Sequence, residues 1–407
     1  MNELDRFIII VGASDLVMPA YQIAREKLAL GIISLDQNTK APGMQYADIP
    51  LQVSTKDIDG AVEAAKAIAA RYPVKGVFTC GADVELTVAS IAQALNLPGV
   101  CVEVAKRCND KLLMHRFLDS KGFTAKPKYE LVVSRQDALQ KAETLGYPIF
   151  AKPIDNCGSR GVQRVDDAQA LEAAYDLAAH FNMNDSTQVL LEKCLEGSKH
   201  TVEMIAHKGE RHLISIVDTH YISKKWPCET GLNTTRLSVN KQQEVYQFAS
   251  ELADIMGITS HAHKVDINLS AEGKIDLIEL TARLSGGFHC QYASPLAYGT
   301  EEIQAAMELA IGHDLDVDKV CHKFEKAAAV EAVFPEPGVV KKILGLSECR
   351  DAKGVLQVFL YVGEGDKVGP YRNSTDRPAF VIAEGNNPDD AVANAKNAVA
   401  NLNIMTE

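Results

Sequence analysis

Five residues of this 407-residue chain have types and spacings that could do chemistry: Lys111, Lys152, Asp266, Glu279 and Arg283. Lys152 stands at the end of a short apolar run, Tyr147 to Ala151, and leads into Asn156-Cys157-Gly158-Ser159-Arg160-Gly161-Val162. Gly158 and Gly161 let the backbone bend close to a ligand without interference from a Cβ. Turn N–H groups can then converge on phosphate oxygens, with Lys152 as a point charge and Ser159 as a hydroxyl donor. The same pattern also describes an ordinary hairpin turn, so its neighbours must decide. Lys111 opens a helix behind Asn109 or Asp110, either of which suits an N-cap. A cation there opposes the helix dipole, a conflict that a nearby anionic ligand would resolve.

Asp266 lies in the strand-like run Lys264 to Leu269 and Glu279 in Ile275 to Leu280, with Ala271-Glu272-Gly273-Lys274 turning between them. Alternation puts Asp266 and Asn268 on one face, and Glu279 on a face with Leu277, Thr281 and Arg283. If the hairpin registers Asp266 near Glu279, the two carboxylates repel unless a cation sits between them. Mg2+, held by one or two carboxylates plus phosphate oxygens, is the natural occupant. Arg283-Leu284-Ser285-Gly286-Gly287 follows at once, a forked cation with two glycines. It forms a second anion cradle, suited to a transferring phosphoryl group or a developing oxyanion.

The elements that must position these groups begin with a β-α-β pattern. Phe7 to Val11, Ile32 to Leu35, Ile49 to Val53 and Val74 to Thr79 read as strands. Leu16 to Leu30, Asp59 to Arg71 and Val84 to Leu95 read as helices, giving a doubly wound parallel α/β unit. Gly12 is the only glycine of a dinucleotide fingerprint, so a tight strand-to-helix turn is preferred to a nicotinamide site. Further on, Asp167 to Phe181 and Lys241 to Met256 are helical, and His200 to Ala206 pairs with Leu213 to Asp218. Thr219 to Ser238 reads as a long irregular segment with the only tryptophan, Trp226, and is expected to cover a substrate. Glu301 to Ile311 closes this region. The tail alternates strands and turns, with a last helix from Asp389 to Asn401. The expected division is an α/β domain at 1–105, an α+β domain at 106–312 with subdomains at about 111–190 and 191–312, and a small α+β domain at 313–407.

Composition narrows the partners. A net charge of -12 argues against nucleic acid and anionic membranes, and no apolar run reaches the length of a membrane span. The polar start Met1 to Arg6 is unlike a leader. Nine scattered cysteines without a Cys-x-x-Cys pair favour a reducing cytoplasm over disulfides or zinc. Cys157 is read as a small residue that fits its turn; the sharper alternative is a thiol whose pKa is lowered by the nearby lysines and Arg160.

The order of Lys111, the Lys152-Pro153 loop through Val162, Glu192-Lys193-Cys194-Leu195, Asp266 and Glu279-Leu280-Thr281-Ala282-Arg283-Leu284-Ser285-Gly286-Gly287 resembles the ATP-grasp superfamily over essentially the whole chain. The likeness is to L-amino-acid ligases and biotin carboxylase-like enzymes. In the tail, Phe334-Pro335-x-Pro337-Gly338 and Gly365-Asp366-x-Val368 look like the C-terminal domain of amino-acid ligases. The resemblance implies that Lys111 and Lys152 contact ATP phosphates under the loop of Asn156, Gly158, Ser159, Gly161 and Val162. Glu192, Lys193 and Leu195 would hold adenine, and His200 would approach the ribose. Asp266 and Glu279 would hold Mg2+, with Mn2+ as the alternative. Arg283 with Gly286 and Gly287 would face the reacting carboxylate. Thr281 replaces the family's usual asparagine, leaving Asn268 to compensate, and Asp266 replaces the commoner glutamate. The expected activity is amide formation between small-molecule carboxylate and amine substrates through an acyl phosphate, releasing ADP and phosphate, in a homodimer. Bicarbonate activation and non-catalytic ATP binding are the rival expectations.

Overall fold

The computed structural model describes residues 6–183 and 186–407; Met1 to Asp5, most of the polar start, lie outside them. The chain opens with a parallel sheet of β1 (Phe7–Val11), β2 (Gly31–Leu35), β3 (Ile49–Leu51) and β4 (Val74–Phe78), in the order β3-β2-β1-β4. Every residue of β1 and β2 is buried, as expected when helices cover both faces of a parallel sheet. Gly31 starts β2 because a Cβ there would fall 2.3 Å from the Phe7 ring. The first helix is Met18–Glu26, shorter than the apolar spacing predicts. Its N-terminus is set by a proline in the first turn, and Leu30 leaves the helical period to join the core below β2.

A second correction lies just before Lys111. Val102–Asn109 is a helix of its own, and Asp110 is extended, which separates it from the helix Lys111–Ser120. The Asp110 side chain caps that second helix by accepting from the Leu113 N–H at 2.9 Å.

An antiparallel sheet follows, built of β5 (Tyr129–Val132), β6 (Ile149–Pro153), β7 (Gln163–Val165) and β8 (Val189–Lys193) in the order β5-β8-β6-β7. Helices Arg135–Leu145 and Ala168–His180 contribute Ala138, Ala142, Leu171 and Ala174 to its buried cluster.

The largest sheet has eight strands. β9 (Ser198–His207), β10 (Glu210–Tyr221), β11 (Glu229–Thr234), β12 (His261–Leu269) and β13 (Ile275–Thr281) are joined by three strands of the tail, β14 (Ala327–Val333), β16 (Val355–Leu360) and β18 (Ala379–Gly385). Their order is β13-β12-β9-β10-β11-β14-β18-β16. The segment from Thr219 to Ser238 is therefore irregular only in part. β10 runs to Tyr221, β11 pairs with it from Val217↔Thr234 to Tyr221↔Glu229, and residues 222–228 and 235–238 lie outside the strands. A small sheet of β15 (Gly338–Leu344), β17 (Lys367–Val368) and β19 (Asn403–Thr406) completes the tail, with the helix Pro388–Asn401. No helix among the described residues is long and apolar enough to cross a membrane.

Candidate active site

The four-stranded antiparallel sheet and the eight-stranded sheet face each other across a cavity of about 1160 Å3. Its rim takes Asp15, Leu16, Gly81 and Asp83 from the parallel unit, and Tyr361, Arg377 and Phe380 from the tail. Its lining includes the apolar residues Pro127, Phe150, Val162, Leu195 and Ile278, which could form a slot for a planar ring.

Lys152 and Lys111 stand beside that slot. Lys152 sits in β6 with its ammonium paired to the Glu192 carboxylate on β8. Glu192 also meets the His115 Nε2 at 2.9 Å. Burial works to raise the Glu192 carboxyl, but Lys152 and His115 outweigh it and hold the acid well below the usual range. The expectation that Glu192 serves the adenine is thus revised for its side chain, which is spent on Lys152. Lys193 is likewise a strut, donating from Nζ to the Gly146 and Tyr147 carbonyls at 2.8 and 2.9 Å. Leu195 lines the slot, and its carbonyl accepts from Lys199 at 2.9 Å. His200 lines the cavity with both ring nitrogens engaged, Nδ1 with Asp218 at 2.9 Å and Nε2 with Ser198 Oγ at 2.7 Å.

Lys111 donates to the Asn156 carbonyl at 2.6 Å and lies 3.7 Å from Glu279 Oε1. The lysine that opposes its helix dipole thus has a carboxylate close by. The turn after β6 has φ of +63° at Gly158, +59° at Ser159 and +73° at Gly161. Asn156 braces it from inside, its Oδ1 accepting from the Cys157 N–H at 2.8 Å and from Arg160 Nε at 3.0 Å. Its outer side is held by other parts of the chain. The Ser374 N–H donates to the Gly158 carbonyl at 2.9 Å, and the Arg164 N–H to the Lys225 carbonyl at 3.0 Å. The small-residue reading of Cys157 is favoured, although Arg160 Nη2 donates to its Sγ at 2.8 Å. Burial, then the neighbouring Asp83, outweigh Arg160 and Lys111 and push the thiol up to about 12.

Asp266 and Glu279 are directly paired across β12 and β13, and both line the cavity. Lys264 bonds Asp266 Oδ2, and Thr201 Oγ1 donates to Asp266 Oδ1 at 2.7 Å. The Thr281 hydroxyl, two residues beyond Glu279, is buried without a hydrogen-bond partner. No group of three or more His, Cys, Asp or Glu side chains gathers for a metal among the described residues. Two carboxylates and an orphaned hydroxyl oxygen are a hard-donor set that fits Mg2+ when a ligand's phosphate oxygens and water fill the remaining positions. Asn268 does not join them. Its Oδ1 accepts from Lys199 and its Nδ2 donates to the Glu196 carbonyl at 3.1 Å, so its amide is consumed away from the pair.

Arg283 is buried and already partnered. Its Nη2 bonds Asp83, its Nε lies 4.0 Å from Glu85, and its Nη1 donates to the Leu284 carbonyl at 2.9 Å. Burial alone would raise both acids. Arg283 and the Cys157 thiol hold Asp83 well below its ordinary value, whereas Glu85 is pushed up to about 7. The guanidinium expected to face a substrate is therefore steered by the parallel unit. Asp83 and Glu85 escaped the sequence reading because Gly81-Ala82-Asp83-Val84-Glu85 looks like a plain strand-to-helix turn. Gly286 abuts that turn, where a Cβ would meet the Gly81 carbonyl at 2.9 Å. Glu229 was missed too. Its Oε1 lies 3.4 Å from where a Cβ on Gly287 would stand, and 3.8 Å from Arg377 Nη1.

Residues 145–291 match the ATP-grasp domain family, and residues 332–407 match the L-amino acid ligase C-terminal domain 2. An uncharacterized protein, y4rH of Sinorhizobium fredii, is 24% identical over 338 residues, covering 82% of this chain and 68% of that one. A D-alanine–D-alanine ligase of Pseudomonas putida is 28% identical over 182 residues, covering 42% of this chain and 53% of that enzyme, so the match spans about half of its length. In three dimensions the chain is similar to an L-amino acid ligase of Bacillus licheniformis, with a TM-score of 0.85 at 21% identity over 100% of both chains. It is also similar to biotin carboxylase of Campylobacter jejuni, with a TM-score of 0.71 at 18% identity over 99% and 92% of the two chains.

Proposed function

This chain belongs to the ATP-grasp ligases, and we propose that it joins the carboxylate of an amino acid to an amine by way of an acyl phosphate. The observation that carries the reading is that a single cavity holds an apolar slot, two lysines beside a glycine turn, a facing pair of carboxylates, and an arginine followed by two glycines. The C-terminal domain shared with L-amino acid ligases favours an amino acid over bicarbonate as the activated acid.

The adenine ring occupies the slot at Leu195, and the triphosphate runs past Lys152 and Lys111 beneath the turn at Gly158. Asp266 and Glu279 would hold Mg2+, which when bound offsets charge on the phosphate oxygens. A substrate carboxylate oxygen attacks the γ-phosphorus, the bond to the β–γ bridging oxygen breaks, and ADP leaves. The protein's part is positioning and charge, which is most of what phosphoryl transfer demands. An amine nitrogen then attacks the acyl carbon, the carbon–oxygen bond to phosphate breaks, and phosphate departs. Arg283 and the Gly286-Gly287 turn stabilise the oxyanion of that step. Glu229, raised by burial although Arg377 opposes the shift, is placed beside the turn to hold an ammonium and take its proton.

The test is incubation with ATP, Mg2+ and pools of L-amino acids. Amino-acid-dependent release of ADP and phosphate, with hydroxylamine trapping an acyl hydroxamate, is the expected outcome. Release of AMP and pyrophosphate would sink the acyl-phosphate route. Glu279→Gln should lower turnover at least a hundredfold, and an unimpaired variant would refute the metal assignment.

A further inference from the structure

Behind the Ser285–Gly287 turn lies a carboxylate with no part in the scheme above. Glu203, in β9, is completely buried and does not line the cavity. Its Oε1 accepts from the Ser285 N–H at 2.7 Å, and its Oε2 accepts from the Ser285 hydroxyl. The Ser285 carbonyl is engaged as well, accepting from Cys290 Sγ at 3.0 Å. His289 flanks the same carboxylate, with Nδ1 3.5 Å from Oε2, and is anchored through Nε2 to Ser215 Oγ at 2.8 Å. All three polar groups of Ser285 are therefore tied, and Ser285 is the residue between Arg283-Leu284 and the two glycines that line the cavity.

A buried carboxylate is costly unless its hydrogen bonds are made. Glu203 makes its bonds to one residue, and that residue begins the turn. We propose that Glu203 is a positioning residue that holds the Ser285–Gly287 turn in the shape needed for acyl transfer, acting through Ser285 rather than on substrate. A carboxylate suits the task because two acceptor oxygens meet an N–H and an O–H donor at once. Glutamine keeps one acceptor for the N–H, and alanine keeps none. Burial raises the Glu203 acid to about 7 even though both Ser285 bonds oppose the rise, so this clamp is held against a desolvation cost.

The catalytic part of this inference rests on the ligase reading, and the test separates the two. Hydrogen–deuterium exchange is measured on the peptide spanning residues 284–289 in the wild type, Glu203→Ala, Glu203→Gln and Ser285→Ala. Turnover is read in parallel as ADP release with ATP, Mg2+ and the L-amino-acid pool. Exchange in that peptide should rise at least tenfold in Glu203→Ala, with Glu203→Gln intermediate, while the peptide covering β1 is unchanged. kcat should fall at least tenfold in Glu203→Ala, with KM for ATP within twofold of wild type. Adding Ser285→Ala to Glu203→Ala should cost little more. Unchanged exchange at 284–289 would overturn the proposal, as would kcat and KM for ATP worsening together. Should Glu203→Ala fail to fold, Glu203→Gln and Ser285→Ala decide by the same exchange criterion. A wild type without amino-acid-dependent ADP release would refute the ligase reading, and the exchange comparison would still decide for or against the clamp.

Discussion

Lys152 is an ammonium buried beside a carboxylate, and that pairing governs what it can offer a ligand. Burying an ammonium is costly unless a counter-charge lies beside it, and Glu192 supplies that charge. Glu192→Gln leaves the charge without its partner. Loss of one member of a buried pair costs about 3–5 kcal/mol, whereas removing both is far milder. Urea unfolding should therefore show Glu192→Gln and Lys152→Met each strongly destabilised, and the double variant much less so than their sum. Additive losses would mean that the two side chains do not depend on each other. Cys157 gives a second expectation. With its thiol raised to about 12, it should react with iodoacetamide at pH 8 more slowly than the exposed Cys101. Faster labelling at Cys157 would revive the activated thiol. At this scale, local sequence exposed the charges near a group but not those brought by the fold. Arg160 was visible beside Cys157; the burial that chiefly raises the thiol, and Asp83 from the turn after β4, come only with the fold.

The glycine turn after β6 is the element on which the phosphate site depends, and its two glycines are not equivalent. At Gly158 a side chain would meet only Thr375, with Cγ2 at 3.9 Å, so the penalty for alanine is the left-handed backbone, about 1 kcal/mol. At Gly161, φ is +73° and a Cβ would fall 2.6 Å from the Phe181 Cβ and 2.8 Å from Pro153 Cγ. Gly161→Ala must displace the turn from the end of the helix Ala168–His180, so KM for ATP should rise at least tenfold, against a few-fold for Gly158→Ala. Equal effects would show that the turn does not close over the nucleotide. This turn and the β12–β13 hairpin were legible in the sequence because glycine positions and strict alternation report local backbone shape. β11 was not. Its neighbours include Lys224, Lys225, Trp226 and Pro227, and its strand state is set by pairing with β10 on one side and with β14, a strand of the tail, on the other. Such long-range pairing leaves no local period to read.

Across the whole molecule, three buried acids sit where the parallel unit meets the large sheet. Burial raises Glu85 to about 7, Glu203 to about 7 and Glu302 to about 8. Each belongs to a different element: the helix Glu85–Ala94, β9, and the helix Glu302–Ala310 that packs on the parallel unit. An unfolded glutamate ionises near pH 4.3. An acid with a raised folded value therefore contributes stability that is full below that point and is lost as pH rises through the folded value. Below pH 6.5 the buried histidines act in the opposite sense, because His263 is lowered to about 4 and His289 to about 3, so acid favours their unfolded, protonated forms. Glu192 and Asp83, both depressed, stay ionised throughout this range and add no slope to it. Between pH 6.5 and 8.5 the three raised acids dominate: Lys199, lowered to about 8 by burial, works against them, and buried thiols such as Cys157 and Cys194, raised by burial, add to the fall near the upper end. Nucleotide-free protein should lose of the order of 3 kcal/mol across it, seen as a melting temperature that falls by a few degrees. Glu203→Gln should flatten the fall by removing one titrating group, whatever its effect on turnover. A melting temperature that holds or rises from pH 6.5 to 8.5 would mean that these carboxyls ionise normally, and that the junction between the parallel unit and the large sheet admits more water than their burial implies.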